Sequence, residues 1–443
     1  MSAVRSAAWF SRPRHLLLAA AAMAVTMAGA LGCGGPQPTT LVSIGVPGRT
    51  NGTPWVAAEG SFVAVAWGGS TKDAHDVFVA VSRDAGQTFS SPVQVNTVPG
   101  EARVGGEQPP RVALTTPAGS ADPEIVVLWG ARGDAKAIKT ARSRDGGRTF
   151  DAPSTLQAAG AAGDRGWHAL AVDRSGTAHV LWLDHRVLAA GRKPGEKHVH
   201  GQMPPKPANY DSVAEAQKSA LYYVNASASP PAEHELAKGV CYCCKTSLIT
   251  GPAGELYAAW RHVYAGDLRD MAFTFSRDGG RSFSEPVRVS EDGWAISGCP
   301  DDGPSLAVDD GGAVHIAWPT VLDGPEPEGA LFYSTTRDGK TFAARTRIPT
   351  LGLRNPSHVQ LVTDRKGRLM VAWDEYSEGQ RVSSAREITQ GAGDKVEFGP
   401  VVTIAPTGPA TYPVLAATSA GILAVWSTGG ESPSVQARTI PWK

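Results

Sequence analysis

The chain has 443 residues, with 42 Lys+Arg against 42 Asp+Glu and a formal net charge of zero. That balance leaves no electrostatic footprint for nucleic acid. With Gly at 50 and Pro at 33 and few long helical patterns, the composition reads as a turn-rich all-β protein.

Residues 1–32 read as an export signal rather than as fold. Arg5, Arg12 and Arg14 make a basic start, and Leu16 to Leu31 is an apolar run too short for a comfortable membrane span. It ends in Ala30-Leu31-Gly32-Cys33, which resembles a bacterial lipoprotein signal. The resemblance implies lipidation at Cys33, a linker over 33–38 and a membrane partner through the lipid. Gly34 after the Cys, rather than Asp, implies the outer membrane or cell surface. Without the signal, net charge falls to about −3, because three Arg and no acid are lost.

From residue 39 to 443 the chain repeats itself. Seven Trp close apolar alternating runs, at 67, 129, 182, 260, 318, 373 and 426. Such alternation marks a half-buried strand. A second apolar strand ending in an Asp/Gly turn precedes most of them, as in ALAVDRSG (169–176) and SLAVDDGG (305–312). A third follows a variable loop, as in VFVAVS (77–82), and a fourth closes the unit, as in EPVRVS (285–290). Four antiparallel strands per unit predict a single β-propeller. The last unit runs out after three strands, and TTLVSIGV (39–46) is spare. Donated to the last unit, it closes a ring of seven blades and removes two open edges. Six blades is the rival count.

Between strands three and four lies a polar octet: SRDAGQTF (82–89), SRDGGRTF (143–150), SRDGGRSF (276–283) and the shortened TRDGKTF (336–342). Glycine permits the left-handed backbone of a tight hairpin, and Asp can accept N–H bonds across it. Phe398 looks like the remnant of a fifth copy. The pattern resembles the Asp-box of the sialidase-like propellers, with Asp84, Asp145, Asp278 and Asp338 in the structural Asp position. The resemblance spans about the whole chain after the signal.

Alternating strand direction puts every octet on one face of the disc. The 2→3 loops and the connections into strand one share the other face, where function on a repeat scaffold usually resides. Candidate ligand-binding residues there are Trp167, His168, Asp184, Arg186, Lys245, His262, Asp270, His358 and Tyr412, with polar groups concentrated in blades three to five. Cys241, Cys243, Cys244 and Cys299 are expected to meet between blades four and five. In an exported chain they predict disulfides, while a thiolate site for copper or zinc is the alternative. The insert over 191–212 carries His198, His200 and Met203 and is either a lid or a ligand arm.

The family resemblance implies three Arg clamping a sugar carboxylate, a Tyr nucleophile with a Glu, and an Asp acid. The family's Arg-Ile-Pro precedes the first Asp-box; here it stands at 347–349, out of place. A substitute catalytic set is Arg111, Arg261 and Arg269 as clamps with Asp301 or Asp302 as acid. The long stretch around GVCYCCK and SGCPDD is also similar to a group of exported bacterial propellers. Two functions stay open: a monomeric propeller that binds a glycan or an envelope protein, and an exo-sialidase-like hydrolase.

Overall fold

The computed structural model describes residues 40–133, 136–157, 163–190, 211–296, 300–364, 366–391, 395–430 and 432–440. The expected signal over 1–32, Cys33, Cys299 and nearly all of the 191–212 insert lie outside them. Seven antiparallel four-stranded blades form a ring, two of them with an extra short strand. Their inner strands are Thr50–Glu59, Arg111–Thr115, Arg165–Val172, Ser247–Thr250, Ser305–Val308, Arg354–Thr363 and Thr411–Thr418. Val42–Ile44 pairs with Val435–Ile440 and supplies the outer strand of blade seven, which decides for seven blades over six.

The core is a set of seams between blades, seven of them among the described residues. Each seam holds one of the seven repeat Trp, and each Trp packs on the blade before its own. Trp260 of blade four, for example, packs with Leu181, Leu221 and Tyr223 of blade three. A Trp at this point brings a large apolar face and covers a seam that smaller side chains would leave open.

The octets complete the seams. In the first, Asp84 accepts from the amides of Gln87 at 3.0 Å and Thr88 at 2.9 Å and from the Ser82 hydroxyl at 2.7 Å. Burial works against its charge, but these bonds hold the Asp84 carboxyl down to about 2. Gly280 has φ +86°, and a Cβ there would run into Tyr223 of blade three. Phe283 meets that same tyrosine edge-on, with ring centroids 5.0 Å apart. The octet is therefore a turn that docks its blade on the preceding one. Arg83 of the blade-one octet reaches Asp122, in the 1→2 turn of blade two, at 2.6 Å. Octets and 1→2 turns thus share a face. Phe398 is different: Val396–Phe398 forms a short strand against Ile388–Gln390 in place of a fifth turn.

Candidate functional site at the channel mouth

Six of the seven inner strands line a channel of about 460 Å³, walled by residues such as Val56, Leu170, Leu248 and Leu415. Its end away from the octets is where each inner strand begins. Cross-strand pairing puts the strands in one frame. The residues opposite the one before each Trp are Trp55, Arg111, Ala169, Ser247, Ser305, Gln360 and Val414. Two positions earlier stand Thr53, Pro109, Trp167, Lys245, Gly303, His358 and Tyr412. These seven are equivalent and ring the mouth.

Four of them are left-handed: Thr53 at φ 53°, Trp167 at 50°, His358 at 54° and Tyr412 at 53°. Each lies at a register shift in its strand. A non-glycine residue in this region costs on the order of 1–3 kcal/mol and persists only where its surroundings fix it. Here the preceding blade does so in three cases. The amide of Thr53 donates to Ser427 Oγ at 2.9 Å, that of His358 to Asp302 Oδ2 at 2.8 Å, and that of Tyr412 to Asp374 Oδ2 at 2.8 Å. At each shift two residues of the inner strand oppose the single repeat Trp of the next strand, as in a bulge.

His358 is the centre of charge. Its Nδ1 faces both Asp374 oxygens, at 2.9 and 2.8 Å, and its Nε2 lies 3.2 Å from Glu107 Oε1. Burial disfavours the imidazolium, but Asp374 and Glu107 outweigh it and raise the His358 pKa to about 9. The Tyr412 ring covers His358 at 4.0 Å between centroids, and burial with the Glu107 charge pushes the phenol up. Lys245 Nζ is 3.2 Å from Asp302 Oδ1. Burial opposes the Asp302 charge, and Lys245 and His358 nevertheless lower its pKa. Arg381 pairs with Asp374 and stacks on the exposed Tyr376 at 4.9 Å. The cluster draws on blades two, four, five, six and seven, wider than the expected blades three to five.

The other candidates fall elsewhere. The Arg261 guanidinium donates to the carbonyls of Asp302, Arg269 and Pro319 at 3.2, 2.8 and 2.8 Å. Arg111 donates through Nε to His168 O and lies 3.6 Å over Trp55, while burial lowers its pKa to about 9. Arg269 bonds Asp267 at 3.4 Å. All three are buried, and none of these bonds points to a shared carboxylate site. Asp184 accepts from the Trp182 indole at 3.0 Å and from Arg186, and Arg186 also pairs with Glu233. His262 takes the equivalent position below Trp260, 3.4 Å from its indole, and burial lowers its pKa to about 4. His168 is bound to Pro109 O at 3.1 Å and is held neutral, to about 3, by burial and two nearby Arg. Asp270 pairs with Arg288 and is raised by burial all the same. Asp301 is exposed and left-handed, at φ 50°. Glu107, Asp374 and Arg381 were missed by the sequence reading. Asp374 follows Trp373 directly, so the Trp frame alone aligns it with Arg261.

Cys241 and Cys244 are free thiols, with Sγ atoms 3.6 Å apart. The Cys244 hydrogen bond lowers the Cys241 pKa to about 7 against burial, helped by Arg269 and Arg261; burial raises Cys244. Cys243 Sγ lies within 4.8 Å of both but is not a free thiol. A tetrahedral zinc takes four ligands, so Cys241 and Cys244 would need two more to hold one. Cys241 and Cys244 are not bonded to each other, and Cys299, the fourth cysteine of the expected disulfides, lies outside the described residues.

No family model matches the chain, and no curated protein is similar to it. Solved structures do resemble it. Polysaccharide lyase Uly1 superposes with a TM-score of 0.52 at 9% identity, covering 88% of this chain and 89% of its own. An alpha-L-arabinanase of Penicillium chrysogenum gives 0.48 at 12% identity, covering 91% and 97%. The intramolecular trans-sialidase of Ruminococcus gnavus gives 0.46 at 10%, covering 74% and 94%. At these identities the likeness is one of fold.

Proposed function

We propose that this chain is a cell-envelope propeller that binds a glycan at the channel mouth without cleaving it. The observation that carries this is the mouth ring itself: Tyr412 tilted over the His358 imidazolium at 4.0 Å between centroids, with Lys245 and Asp302 beside it. Partly exposed Tyr412 and exposed Tyr376 give flat amphipathic faces for sugar rings, and the fixed charges beneath meet hydroxyls. An acidic-sugar clamp finds no support, because Arg111, Arg261 and Arg269 are engaged with backbone carbonyls, an indole face and Asp267. Envelope placement rests on the leader ending at Cys33 and on its lipoprotein resemblance. The Asp-box resemblance of the octets agrees with the sialidase-like fold and says nothing of turnover.

A glycan array followed by product analysis tests the reading. The expected result is binding with the glycan recovered intact, weakened about tenfold by Tyr412→Ala, equal to about 1.4 kcal/mol. Hydrolysis that disappears in Asp301→Asn or Asp302→Asn would establish the hydrolase instead. The observation favouring that second reading is the Tyr412 phenol lying in the field of the Glu107 carboxylate.

A further inference from the structure

The free thiols stand at the entry to blade four, directly before Lys245 of the mouth ring. We propose that Cys241 and Cys244 are a redox-active dithiol that closes reversibly to an intramolecular disulfide directly behind the ligand ring. The two Sγ atoms are 3.6 Å apart, hydrogen-bonded and buried. An S–S bond is ~2.05 Å long, so closure requires a movement of about 1.5 Å. The spacing is Cys-x-x-Cys, a short loop that supports thiol–disulfide exchange. The Cys241 amide donates to Arg261 O at 2.9 Å, and Arg261 is itself fixed by three carbonyls. The backbone at Cys241 is therefore anchored before the bond forms.

The chemistry balances with an external disulfide as oxidant, either a small one or one carried by an oxidoreductase. The Cys241 thiolate attacks one of its sulfurs and expels the other as a thiolate. Cys244 then gives up its proton and attacks the Cys241 sulfur of the mixed disulfide, releasing the second external thiol. The pair loses two electrons and two protons, and the external disulfide gains both. Export, read from the leader, places the chain where such oxidants act. Lys245 follows Cys244 directly and bonds Asp302, which holds the His358 amide. The redox state thus reaches the ligand ring through one peptide bond. This coupling rests on the proposed ligand site; the thiol chemistry does not.

The test uses the whole exported chain, freed of reductant without air and equilibrated in mixtures of reduced and oxidised glutathione. After acid quenching and unfolding, free thiols are labelled with maleimide and located by peptide mass. The expected result is that Cys241 and Cys244 lose their labels together, and that the peptide carrying both loses the mass of two hydrogens. Cys244→Ser should stop at a glutathione adduct on Cys241. Thiols that stay labelled throughout, two separate glutathione adducts, or protection by stoichiometric copper or zinc would each overturn the proposal. If the serine variant does not fold, Cys244→Ala replaces it, and the wild-type labelling decides alone.

Discussion

Glu107 and His358 meet at 3.2 Å although they belong to blades two and six, which are not neighbours in the ring. The bond crosses the mouth, carried on a loop whose Gly106 passes directly over the Tyr412 phenol. A side chain at residue 106 would collide with that ring, so glycine here is a condition of the crossing. The mouth is thereby bridged by charge, between strands that the sheets themselves do not connect.

Stability should fall on the alkaline side. The His358 pKa is raised from 6.5 to about 9, so its contribution is full below the unfolded value and is lost as pH rises through about 9. A shift of that size corresponds to at most about 3 kcal/mol. Denaturant midpoints measured from pH 6 to 10 should decline across this window. In His358→Gln the decline should flatten; an unchanged slope would remove His358 as its cause.

Gly280 and Gly254 separate crowding from backbone strain. Both are left-handed, at φ +86° and +90°, but a Cβ at 254 meets nothing within 4 Å while one at 280 meets Tyr223. Gly254→Ala should cost about 1–2 kcal/mol from the backbone alone. Gly280→Ala should cost about 1–3 kcal/mol more, from overpacking. Equal losses in chemical denaturation would contradict the docking role of the octet.

Arg261 should behave as a frame residue. Arg261→Met strands three carbonyls. We expect a loss of about 3–5 kcal/mol, as for a broken buried polar network. Arg261→Lys should not restore it, since a point charge lacks the planar fork. Altered ligand affinity with an unchanged melting temperature would point instead to a direct ligand contact.

Removing residues 40–46 should open the ring. Val435–Ile440 would then be an unpaired edge, and such edges template association between chains. Light scattering should rise with concentration and the melting temperature should drop. A soluble monomer with the parent's melting temperature would show that closure adds nothing.

Much of the fold was legible because its determinants are local and repeated. Each Trp ends an alternating run, each octet spells its own turn, and TTLVSIGV has no partner except the incomplete last unit. The site was legible only in part. His358, Lys245, Trp167 and Tyr412 were selected, yet their equivalence depends on cross-strand register. Glu107 and Asp374 matter through contacts between distant blades, which no local pattern encodes. Conversely, Asp184 and His262 looked reactive and turned out to lie beneath the Trp indoles. A polar residue beside a buried N–H is as readily an acceptor for it as a ligand for a substrate.

The pairing of Val42 with Ala437 also has a consequence in time. Val42–Ile44, the first strand among the described residues, has its partner at the far end of the chain. Seams between early blades can form as the chain appears, but blade seven cannot be completed until the last strand arrives. Contacts of such sequence separation fold slowly, because the loop-closure entropy comes before the reward. Until then the polypeptide is an open arc with two unpaired ends, and both must be kept from pairing with other chains for that interval.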